Sequence, residues 1–358
     1  MPAASAPRWW PNGPTASPSW RADPLGQGAY ILGCAGPRLE RDEAAFFAEA
    51  APWGFILFAR NIETPDQVRG LCADLRDTVG RDAPILIDQE GGRVQRLRPP
   101  HWRQWLAPRD HVDAAGDAAE RAMWLRGRLI ADELRGVGVD VNCAPCADVA
   151  RAITHPFLAD RCYGDTPETV ATLARAIAEG QAAGGVQSVL KHIPGHGRGE
   201  VDSHLGLPVV SADRTELDAD FAPFRELADL PMAMTAHIVF SAIDPDRPVT
   251  QSPEGIFAIR ETIGFGGLLM TDDVSMQALG GSIADRAGSS LKAGCDVVLH
   301  CNGDRVEMED VVTASGAMGP AAQERADAVI AARPNPQDAD TAALADELAG
   351  LLRSRTDA

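Results

Sequence analysis

Three segments of this sequence concentrate side chains able to do chemistry. The first, Leu268 to Asp273, is an apolar run that ends in two acids. A carboxylate carried by a strand end points into whatever mouth the strands surround, so Asp272 suits a nucleophile or a ligand-binding group. Asp is equally a favoured helix N-cap, and two consecutive acids can divide these tasks, with Asp273 as cap or support. The second segment, Lys191 to Pro208, reads KHIPGHGRGEVDSHLGLP and holds three histidines, an Asp, a Lys and four glycines in eighteen residues. Glycines at that density fit a loop whose backbone approaches a ligand closely. Asp202 and His204 stand two apart there. A carboxylate beside one ring nitrogen favours the imidazolium, which would make His204 a general acid or base. A solvated loop with a salt bridge is the plainer reading of the same residues. The third segment runs from Asp88 to Arg96. Guanidinium forks such as Arg93, Arg96 and Arg161 suit bidentate binding of hydroxyls or carboxylates, although each alone reads equally as a surface ion pair; with Asp88, Lys191 and His192 they describe a very polar pocket, which suits a sugar.

A metal site competes for the same histidines, because His192, His196, His204 and Asp202 are all acceptable zinc ligands. Their spacing fits no ligand pattern, and no His-x-His stands on the first strand. Cys143 and Cys146 have C-x-x-C spacing but lack a second pair. The seven cysteines are odd in number and several lie inside apolar runs, where a reduced thiol packs as a small hydrophobe.

The elements that must position these groups are legible as short apolar runs: Ala29–Cys34, Gly54–Phe58, Ile85–Asp88, Val139–Ala144, Ser188–His192, Met232–Ile238, Leu268–Asp272 and Asp296–Cys301. Segments with helical spacing lie between them, among them Ala118–Leu134, Pro167–Ala183 and Ser282–Ala293. Eight such units over roughly 290 residues predict a closed (β/α)8 TIM-like barrel rather than an open sheet. In that fold the reactive groups collect at the C-terminal strand ends, where all three segments fall. The expected division is a Pro-rich N-terminal segment (1–25), a catalytic barrel (26–320) and a C-terminal helical extension (321–358).

The chain has 358 residues with 51 acids against 33 Lys and Arg, a formal charge of −18. That balance argues against nucleic acid as a partner. No apolar stretch is long enough for a membrane span, and residues 1–25 show no basic segment leading into an apolar run. The expected location is therefore the cytoplasm. Oligomeric state is not legible, with a monomer as the default.

With these residues in view, the sequence resembles glycoside hydrolase family 3, specifically the bacterial single-domain β-N-acetylglucosaminidases of peptidoglycan recycling. The motifs that carry the resemblance are GFILFARN (54–61), IDQEGGRVQR (87–96), KHIPGHG (191–197) followed by Asp202-Ser203-His204, MTAH (234–237) and TDDVSM (271–276). It implies that Asp272 is the nucleophile, His204 the acid/base and Asp202 its orienting partner. Asp88, Arg96, Arg161, Lys191 and His192 match the positions that hold the sugar hydroxyls. Thr271 departs from the family's Ser, and Arg198, Gly199 and Glu200 depart from its loop. The implied reaction is retaining removal of terminal GlcNAc from GlcNAc-anhydroMurNAc peptides, without metal or cofactor. Alternatives are a phosphorylase of the same fold, a metal-dependent barrel hydrolase and an idle sugar-binding barrel.

Overall fold

The computed structural model describes residues 27–201 and 206–353. Asp202 and His204 lie outside the described residues. Eight strands close a barrel in chain order: β1 (Gly28–Gly33), β2 (Pro52–Leu57), β3 (Ile85–Ile87), β4 (Val141–Asn142), β5 (Gln187–Ile193), β6 (Met232–Thr235), β7 (Leu268–Asp273) and β8 (Val297–His300). Neighbouring strands pair in parallel, and β8 returns to β1. Each strand overlaps one of the eight predicted runs. The reason is that strands of a parallel barrel are buried on both faces and read as continuous apolar stretches.

The intervening helices start on recognisable caps. Thr64 and Thr166 each accept from a first-turn N–H ahead of a proline, and Ser282 with Asp285 and Asp213 with Glu216 form reciprocal capping boxes. Pro167–Ala183 is helical over the residues predicted, and Ser282 proves to be the cap of Ile283–Ala293.

Side chains on the strands alternate between two cores. Ile31, Ile56, Leu86, Val189, Met232, Met234, Leu268, Met270, Val297 and Leu299 fill the barrel interior. Their sequence neighbours Leu32, Phe55, Leu57, Ile85, Ile87 and Val298 face the helices, as do Leu190, Ala233 and Leu269. The period of two continues past the apolar rows. Asp88 follows Leu86, Lys191 follows Val189 and Asp272 follows Met270 on the inward parity, so all three emerge at the C-terminal mouth.

The opposite end is closed by chain that follows β8. Gly28 bridges Ala317 in antiparallel fashion, Met318 N–H donates to the Gln27 carbonyl, and Met318, Ala326 and Val329 join the interior core. Helix Pro320–Ala331 therefore caps the barrel's N-terminal end. Helix Thr341–Arg353 packs on the outer helices, with Glu347 held by a bidentate ion pair to Arg121 at 2.8 Å.

Among the outer helices, His111 is buried beside Arg126, and burial followed by that charge holds its imidazole down at about 3. A histidine depressed in the folded state stays neutral there while the unfolded chain takes up a proton. Stability is thus full above about pH 6.5 and falls as pH drops towards the folded value, by on the order of 5 kcal/mol. His111→Gln should flatten urea unfolding free energies between pH 7 and 4 relative to wild type. An identical pH slope in the two proteins would refute the assignment.

Candidate functional site

A cavity of about 200 Å3 opens at the C-terminal mouth, lined by Asp88, Arg96, Arg161, Lys191, His192 and Asp272 among others. All five predicted sugar-binding residues meet there with the predicted nucleophile. At this size it falls below the roughly 300–1,000 Å3 of drug-sized ligand sites, which suits a single sugar ring.

Lys191 is the hub. Its ammonium lies 2.9 Å from Asp88 Oδ1 and 2.6 Å from Glu90 Oε1, and the residue is 1% exposed. Arg96 holds the second Asp88 oxygen at 3.0 Å, and Arg161 grips both Glu90 oxygens at 2.8 and 3.0 Å. Three cations thus face two carboxylates. Burial by itself would push both carboxyls up; the Lys191 and Arg charges outweigh it, holding Asp88 well below the usual range and Glu90 at about 2. Lys191, conversely, is raised above its ordinary value although burial opposes that, because Asp88 and Glu90 favour the ammonium. Only two lysines occur in the chain, at 191 and 292, among 33 basic side chains. A compact ammonium fits between two carboxylates where a planar guanidinium does not.

The hairpin that follows β3 aims Arg96. Gln89–Gly91 pairs antiparallel with Val94–Gln95, and Gly91 and Gly92 take φ of +116° and +58° to make the turn. Gln89 Oε1 accepts from the backbone N–H of Arg96 and Leu97, while Asn142 clasps the Gln89 backbone at 3.0 and 3.1 Å. From below, the buried Arg126 donates to the Glu90 carbonyl at 2.5 Å.

His192 is anchored by a residue that sequence reasoning missed. Its Nδ1 lies 2.7 Å from Asp148 Oδ2, and its Nε2 lies 3.2 Å from Arg161. Arg is only a donor, so Nε2 accepts and Nδ1–H donates, which fixes the tautomer. Asp148 is fully buried and also accepts the backbone N–H of His196 at 2.6 Å. The signal was an acid inside the apolar stretch VNCAPCADVA, since a buried charge must be paired. Glu90 was missed likewise; it stands two residues after Asp88, within a hairpin that sequence does not reveal. Cys146, Asp148 and His192 bring three ligand-type atoms within 4.8 Å of one another, but the Asp148 and His192 atoms already serve each other and Arg161. His196 is buried at the cavity wall, its ring 5.8 Å from that of His192, and burial holds it down at about 4. Gly197 is obligatory next to it, because a Cβ there would meet the Val149 carbonyl at 1.9 Å.

Asp272 and Asp273 have different surroundings. Asp272 faces the cavity and accepts the Asp273 N–H at 2.8 Å on Oδ1. Asp273 accepts from Ser275 N–H, Ser275 Oγ and Cys301 N–H, bracing the turn. His237 of the MTAH motif donates from Nε2 to the Asp273 carbonyl at 3.0 Å, with Nδ1 held by Thr250 at 2.8 Å. That histidine supports the backbone at Asp272 from behind.

The profile of the glycosyl hydrolase family 3 N-terminal domain matches residues 29–330. The chain belongs to glycosyl hydrolase family 3. Its family membership agrees with the barrel and with the residues gathered at its mouth. A β-hexosaminidase of Methylococcus capsulatus is 42% identical over 277 residues, covering 75% of this chain and 80% of the relative. The β-hexosaminidase of Pseudomonas aeruginosa PAO1 is 36% identical over 288 residues, covering 79% and 85%. Among solved structures, native NagZ from Neisseria gonorrhoeae superposes with a TM-score of 0.77 at 32% identity, covering 92% of this chain and 98% of that one. A β-N-acetylhexosaminidase from Beutenbergia cavernae gives 0.71 at 28%, covering 92% and 96%. This family 3 chain is therefore a glycoside hydrolase by membership. Among its described residues no helix is long and apolar enough to cross a membrane.

Proposed function

We propose that this enzyme is a β-N-acetylhexosaminidase that works as a retaining exo-β-N-acetylglucosaminidase, removing terminal GlcNAc from β-1,4-linked GlcNAc-anhydroMurNAc peptides in the cytoplasm. The catalytic unit is the barrel, residues 26–320, with 321–358 as a helical extension, and no metal or cofactor takes part. What carries the reading is Asp272, an inward-parity carboxylate at the wall of the same small cavity as the Lys191, Asp88 and Arg96 cluster. The names of the similar proteins support it at the level of β-hexosaminidase.

In the first step the Asp272 carboxylate attacks C1 while the C1–O bond to the aglycone breaks, and the His204 imidazolium gives its proton to the leaving oxygen. In the second, His204 takes a proton from water, whose oxygen attacks C1 and frees Asp272. Retaining enzymes ordinarily use two carboxyl groups roughly 5–5.5 Å apart. An imidazole with an ordinary pKa of about 6.5, raised by a carboxylate such as Asp202, performs the same proton transfers near neutral pH. Asp88, Arg96, Arg161, Lys191 and His192 hold the hydroxyls of the GlcNAc ring.

The test is turnover of 4-nitrophenyl β-N-acetylglucosaminide with phosphate and EDTA varied and the sugar product followed by NMR. Free GlcNAc released first as the β anomer, at a rate indifferent to EDTA, is the expected outcome. A first-formed α anomer would overturn the retaining mechanism, and a GlcNAc phosphate would make the enzyme a phosphorylase. Asp202→Asn should lower turnover by about tenfold or more.

A further inference from the structure

The inner arginines of the site are committed to carboxylates; one at its rim is not. Arg93 sits at the tip of the Gln89–Gln95 hairpin, in the tight turn that Gly91 and Gly92 make possible. It is exposed, whereas Arg161, Glu90 and Lys191 behind it are almost fully buried. It lines the same cavity, and its guanidinium lies 4.0 Å above the ring of Phe157, another lining residue. Arg161 stands 5.2 Å from that same ring. Arg161 is spent on Glu90 and Arg96 on Asp88. Among the described residues, no carboxylate lies within ion-pair distance of Arg93. Cation–π stacking holds a guanidinium in place while leaving its edge N–H donors open.

Resting on the exo-glycosidase reading above, we infer that Arg93 is the recognition group for an anionic leaving group: it takes a carboxylate on the aglycone as the non-reducing sugar enters the inner cluster. In an exo-acting pocket whose buried end holds the non-reducing ring, the chain beyond the scissile bond leaves through the mouth, past the exposed tip. The chain as a whole carries a formal charge of −18, so an anionic substrate meets net repulsion, and a local cation at the mouth is what admits it. A neutral aglycone gains nothing from Arg93.

The closing experiment compares kcat/KM for two disaccharides that differ only at the lactyl carboxylate, GlcNAc-β-1,4-MurNAc and its neutral lactyl amide, alongside neutral 4-nitrophenyl β-N-acetylglucosaminide. Wild type is expected to prefer the carboxylated disaccharide by about tenfold, with the preference shrinking as salt rises. Arg93→Gln should erase the preference while leaving both neutral substrates within about twofold, and Arg93→Lys should restore part of it. Equal losses on all three substrates would overturn the inference in favour of a structural role, and so would a preference that survives in Arg93→Gln. A wild type that cleaves the neutral substrates yet ignores the carboxylate would sink this inference alone. A wild type that cleaves none of the three would sink the underlying glycosidase reading with it.

Discussion

Replacing Asp272 by Asn should lower turnover of 4-nitrophenyl β-N-acetylglucosaminide by about a thousandfold or more, the scale seen when a covalent nucleophile is removed. The amide is isosteric and keeps an oxygen to accept the Asp273 N–H that Oδ1 now takes at 2.8 Å, so the melting temperature should move little. Loss of rate with an unchanged fold is what separates an attacking group from a packing one. Asp272→Ala goes further, because it leaves room beside C1 for an external anion. With azide present, that variant should regain part of its rate and yield the α-glycosyl azide, the product of a single displacement. Wild-type-like turnover in either variant, or a β-azide, would remove Asp272 from the role of nucleophile.

Lys191→Met is expected to be nearly as damaging by a different route. The ammonium is shared by two carboxylates at 2.9 and 2.6 Å inside the protein. Removing one partner of a buried ion cluster costs about 3–5 kcal/mol, since uncompensated charge stays behind. The signature lies in the acid limb of the stability curve. Carboxyls held below their unfolded values of about 3.9 and 4.3 stabilise the protein above those values and lose that contribution as pH falls through the folded ones. Glu90 sits at about 2 and Asp88 lower still, so wild type should keep this contribution down to about pH 4. Without Lys191, burial raises both carboxyls, and the contribution should vanish at a higher pH. Urea denaturation at pH 7.5, 5 and 4 reads this directly. Lys191→Arg should recover part of the stability and little of the activity, because a guanidinium fork cannot sit between both acids. If Lys191→Met lost no stability at pH 7.5, the ion cluster would not be the structural keystone of the site.

Much of this molecule was legible from order and period alone. Eight apolar runs separated by capped helices specify a parallel barrel, because strands buried on both faces have no polar alternative and each crossover needs a helix. The alternation of two along each run also sends Asp88, Lys191 and Asp272 inward. What fails in sequence is any contact between elements distant in the chain. Asp148 anchors His192 across 44 residues, and Glu90 meets Arg161 across 71. No spacing rule registers such pairs. The helix Pro320–Ala331 shows the same limit, since its apolar face does not say which surface it covers, and it closes the barrel's end instead of lying along its side.

The sequence by itself determined the barrel, the end of it at which the candidate site lies and the identity of most charged groups there, because these follow from local patterning. Only the tertiary structure decided which charges neutralise one another. That pairing depends on closing the barrel, which brings β3 and β5 together through Asp88 and Lys191 across 103 residues of chain. It also left Arg93 at the rim with no carboxylate among the described residues, an outcome set by three-dimensional distance and not by residue type.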